Sequence, residues 1–452
     1  MMQLFRKERM WRSHELKSAY EVVIIGAGVH GLGIAYYLGS RHGIRNIAVF
    51  DQGYLGSGNS GRNTAIIRSN YRTPEGIPFY EESVQLYKQL SKELEWNLLF
   101  SQCGHLTLAH TDSAVAGLRV RAGNNQILGV DSRLIYPDEI RALVPTMDMS
   151  DRPRLPVLAA LYHPPGGIIR HDAVVWGYAR ACDRLGIEIH PYTEVTGTSV
   201  SQGRAESVMT TRGKVAAGTV VNATAGWASV VGKLAGVALP IVSYPLQACV
   251  TEPLKPFLDK VIVSASLHVY VNQTDKGELV IGSEIDPYQS YSLKGTLPTL
   301  EQMASHTLEL FPQLSGLRIL RQWSGTCDMT PDYAPIIGVS REVSNYFVDV
   351  GWGTYGFKAA PAAAKNLAEL IATLREHDYP FREHAAILFQ IQALLTEIRG
   401  LKKEIEKLDS VFDIFGKDEH KERTRELLHR RIDTLFERLE RIADGNDTIQ
   451  SR

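Results

Sequence analysis

The stretch that most restricts this chain lies between Glu21 and Asp51. A short apolar run, Glu21 to Ile25, ends in GAGVHG; LGIAYYLGSRHG follows with helical period and closes at Gly43; NIAVFD then reads as a second strand. Each glycine of the turn stands where a side chain would interfere. Gly26 makes the tight turn, Gly28 lets a pyrophosphate approach the backbone, and Gly31 lets the helix pack closely on the strand. Bound phosphates then sit at the helix N-terminus. Asp51 ends the second strand, at the distance where a carboxylate accepts hydrogen bonds from an adenosine ribose. The pattern predicts a dinucleotide site on an α/β sheet, and by itself leaves NAD and FAD unseparated.

A second glycine- and asparagine-rich loop, GSGNSGRNTAIIRSNY from Gly56 to Tyr71, runs into an apolar segment. Its backbone N–H groups and Arg62 suit phosphate and ribityl oxygens, which favours a flavin stretched along a groove. GTVVNATAGWAS, Gly218 to Ser229, reads as a strand entering a small-residue turn, where backbone can pass close to a cofactor. Nucleotide-binding pieces therefore recur far apart, and the cofactor domain is expected to be discontinuous.

With 49 basic against 50 acidic residues, the chain lacks the positive excess of a nucleic-acid surface. Its four cysteines, Cys103, Cys182, Cys249 and Cys327, have no metal-like spacing and fit a reducing compartment. No apolar stretch reaches the ~18 residues of a membrane span, and the basic start MMQLFRKERMWRSHELK lacks a secretory apolar segment. A cytoplasmic location is expected.

AYYLGSRHGIRNIAVFDQGYLGSGNSGRNTAIIRSNY, RHDAVVWGYARA, HVYVNQTDKGELVIGSEID, RQWSGTCDMTPDYAPIIG and VDVGWGTYGFKAAP together resemble the amino-acid oxidase family of FAD enzymes. The likeness is most specific to the beta subunits of heterotetrameric sarcosine oxidase, and runs collinearly over residues 18–382. Asp51 stands where that family usually has Glu, a carboxylate for a carboxylate.

The resemblance implies an FAD-binding Rossmann-like layer from 18–90, 161–235 and 325–382, and an antiparallel-sheet substrate domain from 91–160 and 236–324. SLHVYVNQ and KGELVIGSE alternate like the half-buried strands of one hairpin. The expected cofactor contacts, besides the turn with its His30, are Asn59, Ser60, Gly61, Arg62, Asn63 and Thr64 of the second loop. Val195, Ala225, Gly226 and Gly325 follow, then Gly351, Gly353, Thr354, Gly356 and Phe357. Trp352 and Tyr355 are candidates for the substrate wall.

The implied reaction is oxidation of a small secondary amino acid, sarcosine to glycine first, by hydride transfer to FAD. Electrons then pass to a second flavin, FMN, and on to oxygen or another acceptor. Arg68 and Lys358 match the positions at which related enzymes clamp the substrate carboxylate; Arg offers a bidentate grip and Lys a compact charge. His171, between Arg170 and Asp172 at the start of a helical segment, reads alone as a structural or capping residue. The matching histidine of the family carries FMN covalently, and the resemblance transfers that role to His171. The implied partners are alpha, gamma and delta subunits. The nearest alternatives are a proline or dimethylglycine dehydrogenase subunit, and a non-catalytic FAD-binding scaffold or assembly factor.

Residues 383–452 are different material. Ile387, Ile391, Leu394, Ile398, Leu401, Ile405, Leu408, Phe412 and Phe415 make a heptad seam, and Leu428, Ile432, Leu435, Leu439 and Ile442 make a second. An α-helical hairpin or coiled coil is expected there, serving self-association or a partner.

Overall fold

Strand Ala19–Ile25 lies between Gly213–Asn222 and Ile47–Phe50 and runs parallel to both. Tyr346–Val350 extends the parallel array on one side and Glu188–His190 on the other. Val22, Val23 and Ile24 are wholly buried, as a strand covered on both faces requires, which is why the segment reads as an unbroken apolar run. Ile336–Val339 adds an antiparallel edge, and Val195–Ser201 with Arg204–Thr210 forms a meander leading into Gly213–Asn222. Helices Val29–Arg41, His171–Arg184 and Gly356–Glu376 pack on this sheet, and the first packs against the other two. Gly33 permits that packing: a Cβ there would lie 2.9 Å from Cβ of Ala364. This is the Rossmann-like layer.

A second sheet has the spatial order Ile319–Met329, Val242–Pro253, Glu278–Ile285, Val269–Gln273, Val261–Ser264, His105–Ala109, Ala159–His163 and Arg133–Ile135. Its pairings are antiparallel except one, Val261–Ser264 against His105–Ala109. Those two strands are distant in sequence, so no tight turn dictates their relative direction. The expected hairpin is Val269–Gln273 with Glu278–Ile285, turned at Gly277, whose φ of +96° suits glycine. One face of this sheet buries Leu106, Ile262, Val271, Leu279 and Phe311. A short third pairing, Ile66–Ile67 with Gly167–Ile168, sits beside it.

The computed structural model describes residues 10–376, 405 and 419–443, which fall into two units, 1–376 and 377–452. In the second unit a helix spans Glu419–Ala443. Ile432 and Leu435 are buried and Leu428 is half-buried, consistent with one apolar stripe; the side chains of Leu439 and Ile442 lie outside the described residues. So does the first heptad seam, apart from Ile405, which is buried. Among the described residues no helix is long and apolar enough to cross a membrane.

Candidate active site

One cavity of about 1150 Å³ runs from the glycine turn to the start of helix Gly356–Glu376, larger than the ~300–1,000 Å³ of ordinary small-ligand pockets. At one end stand Gly26, Gly28 and Asp51. The helix Val29–Arg41 opens here with Gly28 as its N-cap and no capping side chain of its own. The Asp51 carboxylate accepts hydrogen bonds from the N–H groups of Ala27 and Gly53, each at 2.8 Å. Burial raises its pKa, while those two donors work against the rise. Gly31 does not line the cavity. A Cβ there would lie 1.9 Å from the carbonyl oxygen of Gly26, so its absence keeps turn and helix together.

Asn59, Ser60, Arg62, Asn63 and Thr64 form the next wall. Ser60 Oγ accepts from the Val29 N–H at 3.0 Å, tying this loop to the start of the helix. Asn59 accepts from the N–H of Thr326 at 2.9 Å and donates to the Thr326 carbonyl at 2.5 Å, which joins the loop to the second sheet. Gly61 lies behind the wall, where its N–H donates to Gly56 at 2.8 Å. Val195, Ala225, Gly226, Gly325, Gly353, Thr354, Gly356 and Phe357 all line the cavity, as do Trp352 and Tyr355. Gly351 does not; its φ of +76° turns its N–H toward Asp328 Oδ2, 2.6 Å away. A cavity lined by the N-terminus of a helix at Gly28, by the Asp51 carboxylate and by backbone-rich walls fits FAD.

His30 was expected to touch the cofactor, and it does line the cavity, but its ring is also the head of a buried polar group. Nδ1 is 2.8 Å from Asp349 Oδ2, and Nε2 is 2.9 Å from the carbonyl oxygen of Gly356. Both partners are acceptors, so both ring nitrogens carry protons. Burial opposes that charge; Asp349 outweighs it and holds the pKa above the ordinary value. Asp349 also accepts from Trp352 Nε1 at 2.6 Å. Nearby, burial raises Asp328 to about 6, against the N–H donors of Trp352 and Gly351. Neither aspartate emerges from motif reading alone. For Asp349 the available signal is a charged residue inside the apolar strand YFVDV, which is tolerated only with a partner.

The cavity is also lined by Arg68, Lys358 and His105. Arg68 Nη1 donates to the Asn70 side-chain oxygen at 3.0 Å and its guanidinium lies 4.4 Å from the Tyr71 ring centre. Lys358 Nζ donates to the Thr354 carbonyl at 3.2 Å and lies 5.6 Å from the Tyr355 ring centre. Among the described residues, neither cation has a carboxylate within ion-pair distance. Burial, and then the charge of Arg68, push the Lys358 ammonium down to about 7. Behind them Arg121, from helix Asp112–Ile127, donates through Nε to the Asn70 carbonyl at 2.8 Å, and burial lowers it to about 9. His105 and Arg121 are absent from the sequence-derived set, because nothing local marks them; strand pairing and helix packing bring them to Arg68.

His171 does not line the cavity. It is the first residue of helix His171–Arg184, and among the described residues no group hydrogen-bonds its ring. Burial lowers its pKa, with Asp172 working in the opposite direction, which favours the neutral imidazole.

The family model for FAD dependent oxidoreductases matches residues 21–370. Sarcosine oxidase subunit beta of Rhodobacter capsulatus is 45% identical over 365 residues, which is 81% of this chain and 88% of that one. The protein of the same name from an Arthrobacter species is 43% identical over 370 residues, covering 82% and 91% of the two chains. Among solved structures, L-proline dehydrogenase from P. horikoshii aligns with a TM-score of 0.74 at 30% identity, over 79% of this chain and 94% of that chain. A chain with this similarity over most of its length, built around this cavity, belongs to the FAD dependent oxidoreductase family and is a flavin-dependent amine oxidoreductase.

Proposed function

We propose that the protein oxidises a small secondary amino acid, sarcosine before others, as the subunit that holds both substrate and FAD. The observation carrying this reading is the pair of cations, Arg68 and Lys358, facing the cavity with no carboxylate partner among the described residues. Buried or half-buried charge without a partner is costly, and a substrate carboxylate relieves the cost. FAD, when bound, supplies the two-electron acceptor. The chain's own residues position the substrate: the clamp fixes the carboxylate, while Trp352 and Tyr355 limit room and water on the amine side.

The site residues named above and the division into an FAD layer (18–90, 161–235, 325–382) and a substrate layer (91–160, 236–324) belong to this proposal. So does a second flavin: FMN attached to His171, supported by a ring whose pKa burial lowers and which no group among the described residues hydrogen-bonds. Neutral imidazole is the nucleophilic form. Alpha-, gamma- and delta-like subunits are the proposed partners, with self-association through 383–452 as the other possibility. Four free cysteines fit work in a reducing cytoplasm.

A second reading, a proline dehydrogenase subunit, is favoured by the likeness to the P. horikoshii enzyme. Anaerobic mixing with sarcosine, proline and dimethylglycine, followed by flavin bleaching, separates the substrates. If none bleaches the flavin, a scaffold role replaces catalysis. Acid precipitation followed by tryptic mass spectrometry tests the second flavin: FMN mass on the peptide holding His171 supports it, and an unmodified peptide overturns it.

A further inference from the structure

His105 is 1% exposed, lines the cavity, and among the described residues has a hydrogen-bond partner on neither Nδ1 nor Nε2. A buried polar group left unpaired demands an explanation, and its commonest one is a ligand or water. The backbone places this ring beside the substrate clamp. His105 opens strand His105–Ala109; the preceding Gly104 donates its N–H to the Gly166 carbonyl at 2.8 Å. A Cβ on Gly166 would lie 2.8 Å from Cβ of His105. Gly167 in turn pairs with Ile67, the residue before Arg68. Its cross-strand neighbour His163 is occupied otherwise, with Nδ1 2.6 Å from the Asp131 carbonyl and Nε2 accepting from the Ser69 N–H at 3.3 Å.

The surroundings of the His105 ring are cationic. Burial first, then Arg68, His163, Arg121 and Lys358, hold its pKa well below the ordinary value. The ring is therefore neutral and presents one N–H donor and one lone pair. Arg121 is spent on Asn70, whereas Arg68 and Lys358 have no anion among the described residues. A neutral donor beside two such cations completes an anion site without adding a third charge to it. We propose that His105 is the third group of the carboxylate subsite, donating an imidazole N–H to the same substrate carboxylate that Arg68 and Lys358 hold. This rests on the clamp proposed above.

The test uses the full-length chain loaded with FAD and two probes read by the flavin absorbance: acetate, a carboxylate without an amine, and dimethylamine, an amine without a carboxylate. His105→Leu is expected to raise the acetate Kd by about tenfold or more, the loss of one charge-assisted hydrogen bond. His105→Gln, which keeps an N–H donor, is expected to recover part of it, and dimethylamine binding is expected to stay unchanged. Unchanged acetate affinity in His105→Leu, or equal weakening of both probes, overturns the proposal. Should His105→Leu fail to fold, the wild-type protein decides: acetate must shift a His105 ring-nitrogen resonance, assigned by its absence in His105→Gln, and no shift overturns the proposal. Arg68→Gln and Lys358→Met separate the two failures. If these also leave acetate binding unchanged, the clamp itself falls; if only His105→Leu is silent, His105 alone is excluded.

Discussion

His30 Nδ1 lies 2.8 Å from Asp349 Oδ2 across 319 residues of chain. The contact fastens the helix that follows the glycine turn to the strand Tyr346–Val350, and the other ring nitrogen reaches the first residue of the helix carrying Lys358. One imidazolium thus connects the helix after the glycine turn with the helix that carries Lys358.

His30→Leu leaves the Asp349 carboxylate, fully buried as a side chain, without its cation. Breaking one partner of such a pair costs about 3–5 kcal/mol, read as a lower urea midpoint. The pH dependence has a definite sign. The folded-state pKa of His30 is raised, so its stabilisation is complete below the ordinary value of 6.5 and fades as pH rises through the raised value. His30→Leu is expected to abolish that part of the slope.

Lys358 gives a dependence of the same sign in ligand binding, although its pKa is lowered where that of His30 is raised. With its ammonium pushed down to about 7, the clamp carries its full charge only below that pH. Acetate affinity for the FAD-loaded protein is expected to fall as pH rises through about 7, by up to about tenfold per pH unit at the limit. Bound carboxylate favours the charged form, so binding near this pH takes up protons. In Lys358→Met both effects vanish, which calorimetry in buffers of different ionisation enthalpy detects.

Arg68→Lys keeps the charge and loses the planar fork, and is not conservative at a carboxylate site. KM for the amino acid is expected to rise by about tenfold or more while FAD stays bound, because the glycine turn and Asp51 are left untouched. Steady-state kinetics together with the flavin content of the purified variant check both halves.

Two glycine replacements should act in opposite directions. Gly31→Ala drives a Cβ to 1.9 Å from the Gly26 carbonyl. Such overpacking costs about 1–3 kcal/mol or more and distorts the turn, so FAD should be lost on purification. Gly123, inside helix Asp112–Ile127, has nothing within 4 Å of a built Cβ, and Gly123→Ala should stabilise by about 0.5–1 kcal/mol. Thermal melts of both variants decide.

The local pieces of the fold are legible in the chain because their causes are local. The turn at Gly26 needs a residue tolerant of φ +107°, the helix after it needs only its apolar period, and the hairpin at Gly277 needs alternation on either side of a glycine. Helix Glu419–Ala443 follows its apolar spacing for the same reason. Arg68 and Lys358 came from family likeness and not from any local pattern.

What the sequence by itself determined is thus the dinucleotide frame, the second loop with Asn59 and Arg62, and the segments that had to meet a cofactor. Only the tertiary structure decided what those segments meet. Asn59 binds Thr326, His30 binds Asp349, and His105 lines the same cavity as Arg68 and Lys358. Gly31, Gly61, Gly351 and His171 do not line the cavity. The physical reason is the range of the forces. Steric demands on a glycine or a turn act within a few residues, whereas the partner of a buried charge is set by sheet order and helix packing, which join residues hundreds of positions apart.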